Sequence, residues 1–260
     1  GLALSVICNV ATVLATYVIG LNIGLRNRVA LLGAALVALW PLVSLLAGSR
    51  GALNGTWQID LGLSLYTEPL STALVVTALA LIVARAGDDR RAALAGALLG
   101  LGTLVRLSNV LILGCVLVAL FVVRERKRAA VLALGAAAWA PATLFFWPKS
   151  YPKLKAPVFP AHPFEWSYAG HAWTDSTLWH PAVVLVLVPL ALIGIKRAAP
   201  RAAVLLWSCV AVTALFYSFY ELTPIHPRFL FVVLPIVLLF WAAGADVVVA
   251  AGRGLYDRGR

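Results

Sequence analysis

Nine stretches of this chain contain no Asp, Glu, Lys or Arg: 1–25, 29–49, 69–84, 92–105, 107–123, 129–148, 176–195, 202–220 and 229–245. In hydrocarbon every backbone N–H and C=O must be satisfied by the protein itself, which leaves only helices and closed barrels. A barrel would show short segments of alternating polarity. These runs are continuous and approach the ~20 apolar residues of a membrane-spanning helix. Composition agrees: 62% of residues are apolar and 12% are charged, against about 25% charged in soluble domains. The expectation is an all-α, polytopic transmembrane bundle of about nine segments, forming one domain over residues 1–260.

The net charge of +11 does not point to nucleic acid. The basic residues form no stripe; they gather between apolar runs, as positive-inside topology requires. The clusters are Arg26/Arg28, Arg85/Arg90/Arg91, residues 124–128, Lys196/Arg197/Arg201 and Arg253/Arg258/Arg260. Placing all five on the cytoplasmic side puts residues 49–68, 148–180 and 221–228 on the other face of a plasma membrane. Cys8, Cys115 and Cys209 all lie inside apolar runs, an odd number that argues against a disulfide framework. There is no methionine, and the chain opens in an apolar run too long for a signal-peptide core. The expectation is a trimmed chain whose N-terminal part is missing.

This sidedness depends on residues 92–123 forming two helices that turn at Arg106. A single helix would send most later basic residues outward. The first helix, at fourteen residues, would rise only ~21 Å. Gly96, Gly100 and Gly102 permit it to pack closely against a neighbour.

The outward stretches hold the polar chemistry. All four histidines (His162, His171, His180, His226) lie there, with Asp60, Glu68, Glu165, Asp175 and Glu221. The long loop 148–180 is rich in Trp and Tyr, and Lys149 and Lys153 stand near its start. Arg106 and Arg228 are cations on the wrong side for topology, and a guanidinium matches phosphate oxygens. The expected role of Arg228, with Arg106, is to hold an anionic lipid head group. Each residue has a plainer reading. Glu68 precedes Pro69 and could be a first-turn acid favoured by the helix dipole. Arg106 could snorkel to the interface, His226 could be structural, and some aromatics could form an interfacial belt. No His-x-x-x-His or Asp-x-Asp spacing indicates a metal, and there is no Gly-rich phosphate loop, dinucleotide fingerprint or nucleophile elbow.

Three longer stretches carry a resemblance. Residues 61–85, "LGLSLYTEPLSTALVVTALALIVAR", followed by residues 92–113, "AALAGALLGLGTLVRLSNVLIL", resemble the middle of the GT-C glycosyltransferases, where an acidic S/T-E-P motif opens a span and a glycine-containing helix ending in arginine follows. Residues 225–239, "IHPRFLFVVLPIVLL", resemble the late H-x-R segment of that superfamily. The likeness covers roughly residues 25–245 and is similar to the pattern of protein O-mannosyltransferases and the lipid A aminoarabinose transferase. It implies an enzyme that moves a sugar from a polyprenyl-phosphate donor to a glycan, lipid or protein acceptor on the extracytoplasmic face, by a single inverting displacement. No protein cofactor is implied, and a divalent metal is left open. The family's catalytic aspartate lies in the first outer loop and has no matching position here. The resemblance implies Arg228 and Arg106 as cations for the leaving phosphate, with Lys149 or Lys153 as helpers. Glu68 and Asn109 would position the donor or hold Arg106. The loop residues Glu165, Trp166, Trp173 and Asp175 would cover the sugar, and His226 is a further substrate-binding candidate. The rival expectations are a flippase for lipid-linked saccharide and a catalytically incomplete membrane fragment.

Overall fold

The computed structural model describes residues 2–46, 68–84, 88–154, 165–168, 181–219 and 230–258. The described residues are helical and contain no strand. In chain order the helices are α1 (Leu2–Asn22), α2 (Asn27–Leu46), α3 (Glu68–Val83), α4 (Asp89–Val105), α5 (Val110–Val122), α6 (Arg126–Ala137), α7 (Ala140–Leu154), α8 (Pro181–Ile195), α9 (Pro200–Ser218) and α10 (Leu234–Arg258). Each charge-free run contains helix. By length and hydropathy, Ala3–Asn22, Pro200–Ser218 and Leu234–Gly254 can cross a bilayer; α6 and α7, bent by 47°, would make a fourth crossing if they act together. Asn27–Trp40, Glu68–Val83 and Leu107–Val122 are apolar but shorter.

α1 shows why an apolar solvent suits this chain. Its outward face carries Leu4, Ile7, Val10, Leu14, Val18 and Leu21, while Ser5, Thr12 and Thr16 are buried. Thr12 and Thr16 donate their hydroxyls back to the carbonyls of Cys8 and Thr12, at 2.9 and 2.7 Å. Large aliphatic groups outside and small or self-satisfied polar groups inside is the arrangement expected where the surroundings are lipid.

α3 lies at the centre: Val75, Val76, Leu79 and Ile82 are fully buried and join residues of α1, α5, α9 and α10 in one core. The helices approach closely where they carry glycine. A Cβ at Gly96 would strike the carbonyl of Leu132, and one at Gly135 that of Ala93, so α4 and α6 touch backbone to backbone. Gly194 and Gly244 do the same for α8 and α10.

The break between α4 and α5 falls where the sequence places it. Arg106 leaves the helix in an extended conformation (φ −150°, ψ 111°), a short 3-10 turn covers Leu107–Asn109, and α5 begins at Val110. The two helices run in opposite directions, because Asp89 at the start of α4 pairs with Lys127 just beyond α5, at 2.6 Å. The run 129–148, expected as one continuous segment, is instead broken between α6 and α7. Pro141 has no N–H to offer the carbonyl of Ala137, and its ring crowds the turn behind it.

Contacts gather the segments carrying Arg26/Arg28, Arg90/Arg91, residues 124–128 and Lys196/Arg197/Arg201 at one end of the bundle. Asn22 donates to the carbonyl of Ala80 (3.4 Å), Arg128 to that of Leu81 (3.3 Å), Arg201 to Glu125 (2.7 Å), and the Ala199 N–H to Ile23 (3.0 Å), closing a ring of segments. Arg28 adds α10 to this end through Asp246, at 3.0 Å. Glu125 there serves both Arg128 and Arg201. The run 124–128 reads in sequence as a topological marker; Arg128 is in fact buried and joins α6 to α3.

Candidate functional site at the opposite end

At the other end, α3 begins and α4 ends side by side. Glu68 is the first residue of α3, where the positive end of the helix dipole favours a carboxylate. Arg106 caps the C-terminus of α4, where the dipole favours a cation. Their side chains meet, Arg106 Nη1 donating to Glu68 Oε1 at 3.3 Å, and both are largely buried. Arg106 therefore turns inward to a carboxylate rather than snorkelling outward. Glu68 is both a first-turn acid and the residue that holds Arg106.

Asn109 is buried behind this pair. Its amide donates to Ser71 Oγ at 2.7 Å and to the carbonyl of Gly102 at 2.9 Å. Gly102 O also accepts from the Arg106 N–H, at 2.8 Å, so both of its lone pairs are used. A helix end leaves its last carbonyls open; Asn109 fills one such place, and the Trp147 indole N–H fills another at Leu104 O, 3.1 Å away. Asn109 thus ties the break to α3 through Ser71, one turn beyond Glu68, while Glu68 takes the guanidinium.

A narrow cleft opens beside this pair, lined by Arg106, Ser108, Asn109, Thr213, Tyr217 and Val232 among others, with room for about one water. The Thr213 hydroxyl is buried and meets no hydrogen-bonding partner among the described residues. A buried hydroxyl without a protein partner is ordinarily satisfied by water or a ligand. Glu165 and Trp166 are at the same end. The Glu165 N–H donates to Phe219 O at 3.1 Å, and Trp166, 86% exposed, meets the Phe219 ring edge-on at 4.9 Å between centroids. The Glu165 carboxylate accepts from Ser167 at 3.0 Å.

The structure thus brings Glu68, Arg106 and Asn109 together at one site, and places Glu165 and Trp166 beside the end of α9, which also supplies Tyr217. Trp173, Asp175, His226 and Arg228 lie outside the described residues, as does most of the loop 148–180. Lys149 and Lys153 lie on α7, but their side chains are outside the described set. Tyr217 near the end of α9 and Val232 just before α10 both line the cleft. Ser71, Thr213, Tyr217 and Trp147 were not singled out from sequence. Ser71 had a usable signal, three residues from Glu68 and so on the same helical face. Thr213 and Tyr217 sit in an unbroken apolar run and had none. No group of three or more metal-ligating side chains occurs among the described residues. Comparison with protein-family models, curated proteins and solved structures found no match.

Proposed function

We propose that this chain is an integral membrane glycosyltransferase of GT-C type, using a polyprenyl-phosphate sugar donor at the Glu68–Arg106 end of the bundle. On this reading each charge-free run is a membrane segment, nine in all, and that end faces the extracytoplasmic side. The observation that supports the reading most is the buried Glu68–Arg106 pair beside a cleft, at the end away from the gathered basic clusters. Burying charge is expensive in hydrocarbon, so ionisable groups retained at a helix break inside a membrane bundle mark functional positions by default. A guanidinium carries five donors and can hold a carboxylate and a phosphate together.

The chemistry proposed is a displacement at the anomeric carbon. The acceptor oxygen forms the new bond as the sugar–phosphate bond breaks, and the acceptor proton passes to a carboxylate base. The leaving phosphate is stabilised by Arg106 and Arg228, with Lys149 or Lys153 assisting. Trp166 and Trp173, with Glu165, Asp175 and His226, would cover the sugar.

The test is reconstitution of the full-length gene product with a panel of radiolabelled polyprenyl-phosphate sugars, following sugar transfer and lipid translocation in parallel. Transfer that falls at least 100-fold on Arg228→Ala or Arg106→Gln, roughly 2.7 kcal/mol of transition-state stabilisation, is the expected result. Trp166→Ala is expected to raise KM with kcat little changed. Translocation without transfer would instead identify a flippase.

A further inference from the structure

The basic end holds a second cleft, unrelated to the Glu68–Arg106 site. Its volume is about 130 Å³, and it is lined by Gly24, Leu25, Arg26, Val29, Arg197, Ala243 and Asp246. Its apolar lining is well packed: Leu25, Val29 and Ala243 are buried. Gly24, at φ 91°, makes the tight turn that brings Arg26 to the rim. Arg197 arrives from a segment far along the chain, fixed by the Ala199 N–H bond to Ile23 at 3.0 Å.

The charges at this cleft do not cancel. Asp246 is engaged by Arg28 at 3.0 Å, which balances its charge. Neither Arg26 nor Arg197 makes an ion pair or side-chain hydrogen bond among the described residues. Topology explains why arginines occur at this end, but not why two from distant segments share one cleft with an apolar lining. Two guanidinium groups line the one cleft, and their planar forks fit phosphate oxygens. Leu21 and Leu192, each five residues before one of the arginines, are exposed aliphatics on the helices leading into it.

We propose that this cleft binds a phosphate group, and that its source is the head group of an anionic phospholipid, with the acyl chains lying on the exposed aliphatics of α1 and α8. The site is independent of the proposed transferase chemistry.

The test uses the whole chain purified in a zwitterionic detergent, with thermal unfolding followed as dihexanoyl phosphatidylglycerol, dihexanoyl phosphatidylcholine or inorganic phosphate is added. Phosphatidylglycerol is expected to raise Tm saturably and phosphatidylcholine to do so far less. Arg26→Gln/Arg197→Gln should weaken the response about ten-fold or more, the loss expected for at least one charge-assisted bond. Arg90→Gln/Arg253→Gln, which removes two basic-end charges outside the cleft, should leave it unchanged. Both arginines of the cleft are exposed, so the unliganded Tm of the first variant should match the parent; Arg197→Gln alone gives a second reading if it does not. An equal, Arg26- and Arg197-dependent shift with inorganic phosphate would keep the site and reassign its ligand to a soluble phosphate compound. No saturable shift with either probe, or equal losses in the two double variants, would overturn the proposal.

Discussion

Arg106 and Glu68 are separated by 38 positions in sequence and 3.3 Å in space, and each sits at the helix end whose dipole suits it. Removing one partner of such a pair strands a buried charge, at a cost of about 3–5 kcal/mol, whereas replacing both is far milder. Arg106→Gln is therefore expected to lower Tm more than Glu68→Gln/Arg106→Gln does, with a coupling of about 1–3 kcal/mol in the double-mutant cycle. Additive losses would show that the pair carries no interaction energy. Transfer activity separates structure from function: if the pair only joins helices, the double variant regains activity along with stability. Asn109 is a simpler case. Asn109→Asp removes both donors and sets an acceptor against the Gly102 carbonyl, so it should cost about 1–3 kcal/mol per lost bond. Thermal unfolding in detergent reads this directly, with Asn109→Ser as the milder comparison.

Among the elements, glycine decides how close the helices come. α8 and α10 meet where Gly194 faces the Phe240 carbonyl and Gly244 faces that of Leu190. Gly244→Ala puts a methyl group into backbone, so the helices must separate. The expected cost is about 1–3 kcal/mol, the usual range for overpacking a tight contact. Gly194→Ala should cost a similar amount, and the two together less than their sum, because the first substitution has already opened the gap the second needs. Unfolding of the two single variants and the double variant checks this. The glycines of α4 were legible in sequence as a packing surface, but their partner was not. Nothing local to Gly96 or Gly135 says that α4 chooses α6 rather than α5, its neighbour in the chain. The break at Arg106 was legible because charge asymmetry between loops required it. The bend between α6 and α7 was missed although Pro141 stood in plain view, because proline is tolerated within membrane helices often enough that it does not announce a break.

For the molecule as a whole, the gathering of basic segments at one end and of Glu68, Arg106 and Trp166 at the other makes sidedness testable. Leu107 at the break and Lys127 at the basic end are both exposed. With the basic end inward, Leu107→Cys should react with a membrane-impermeant maleimide on intact cells, while Lys127→Cys should react only after permeabilisation. Labelling of both from the same side would mean that α4 and α5 re-enter rather than cross, and the outer placement of the candidate site would fail with them.

The sequence by itself determined that this chain is helical, that its helices are suited to lipid, where α4 stops, and which loops carry like charge. Those properties follow from single residues and their near neighbours: a peptide group in hydrocarbon must close its own hydrogen bonds, and an arginine does not enter hydrocarbon without a partner. Tertiary structure alone decided the partners. Glu68 with Arg106, Glu125 with Arg201 and Asp246 with Arg28 are joined across 38, 76 and 218 positions. Any carboxylate here could serve any guanidinium as far as local chemistry goes. The choice is made by which helices pack, and packing depends on shape complementarity summed over whole surfaces, with small residues setting the distance.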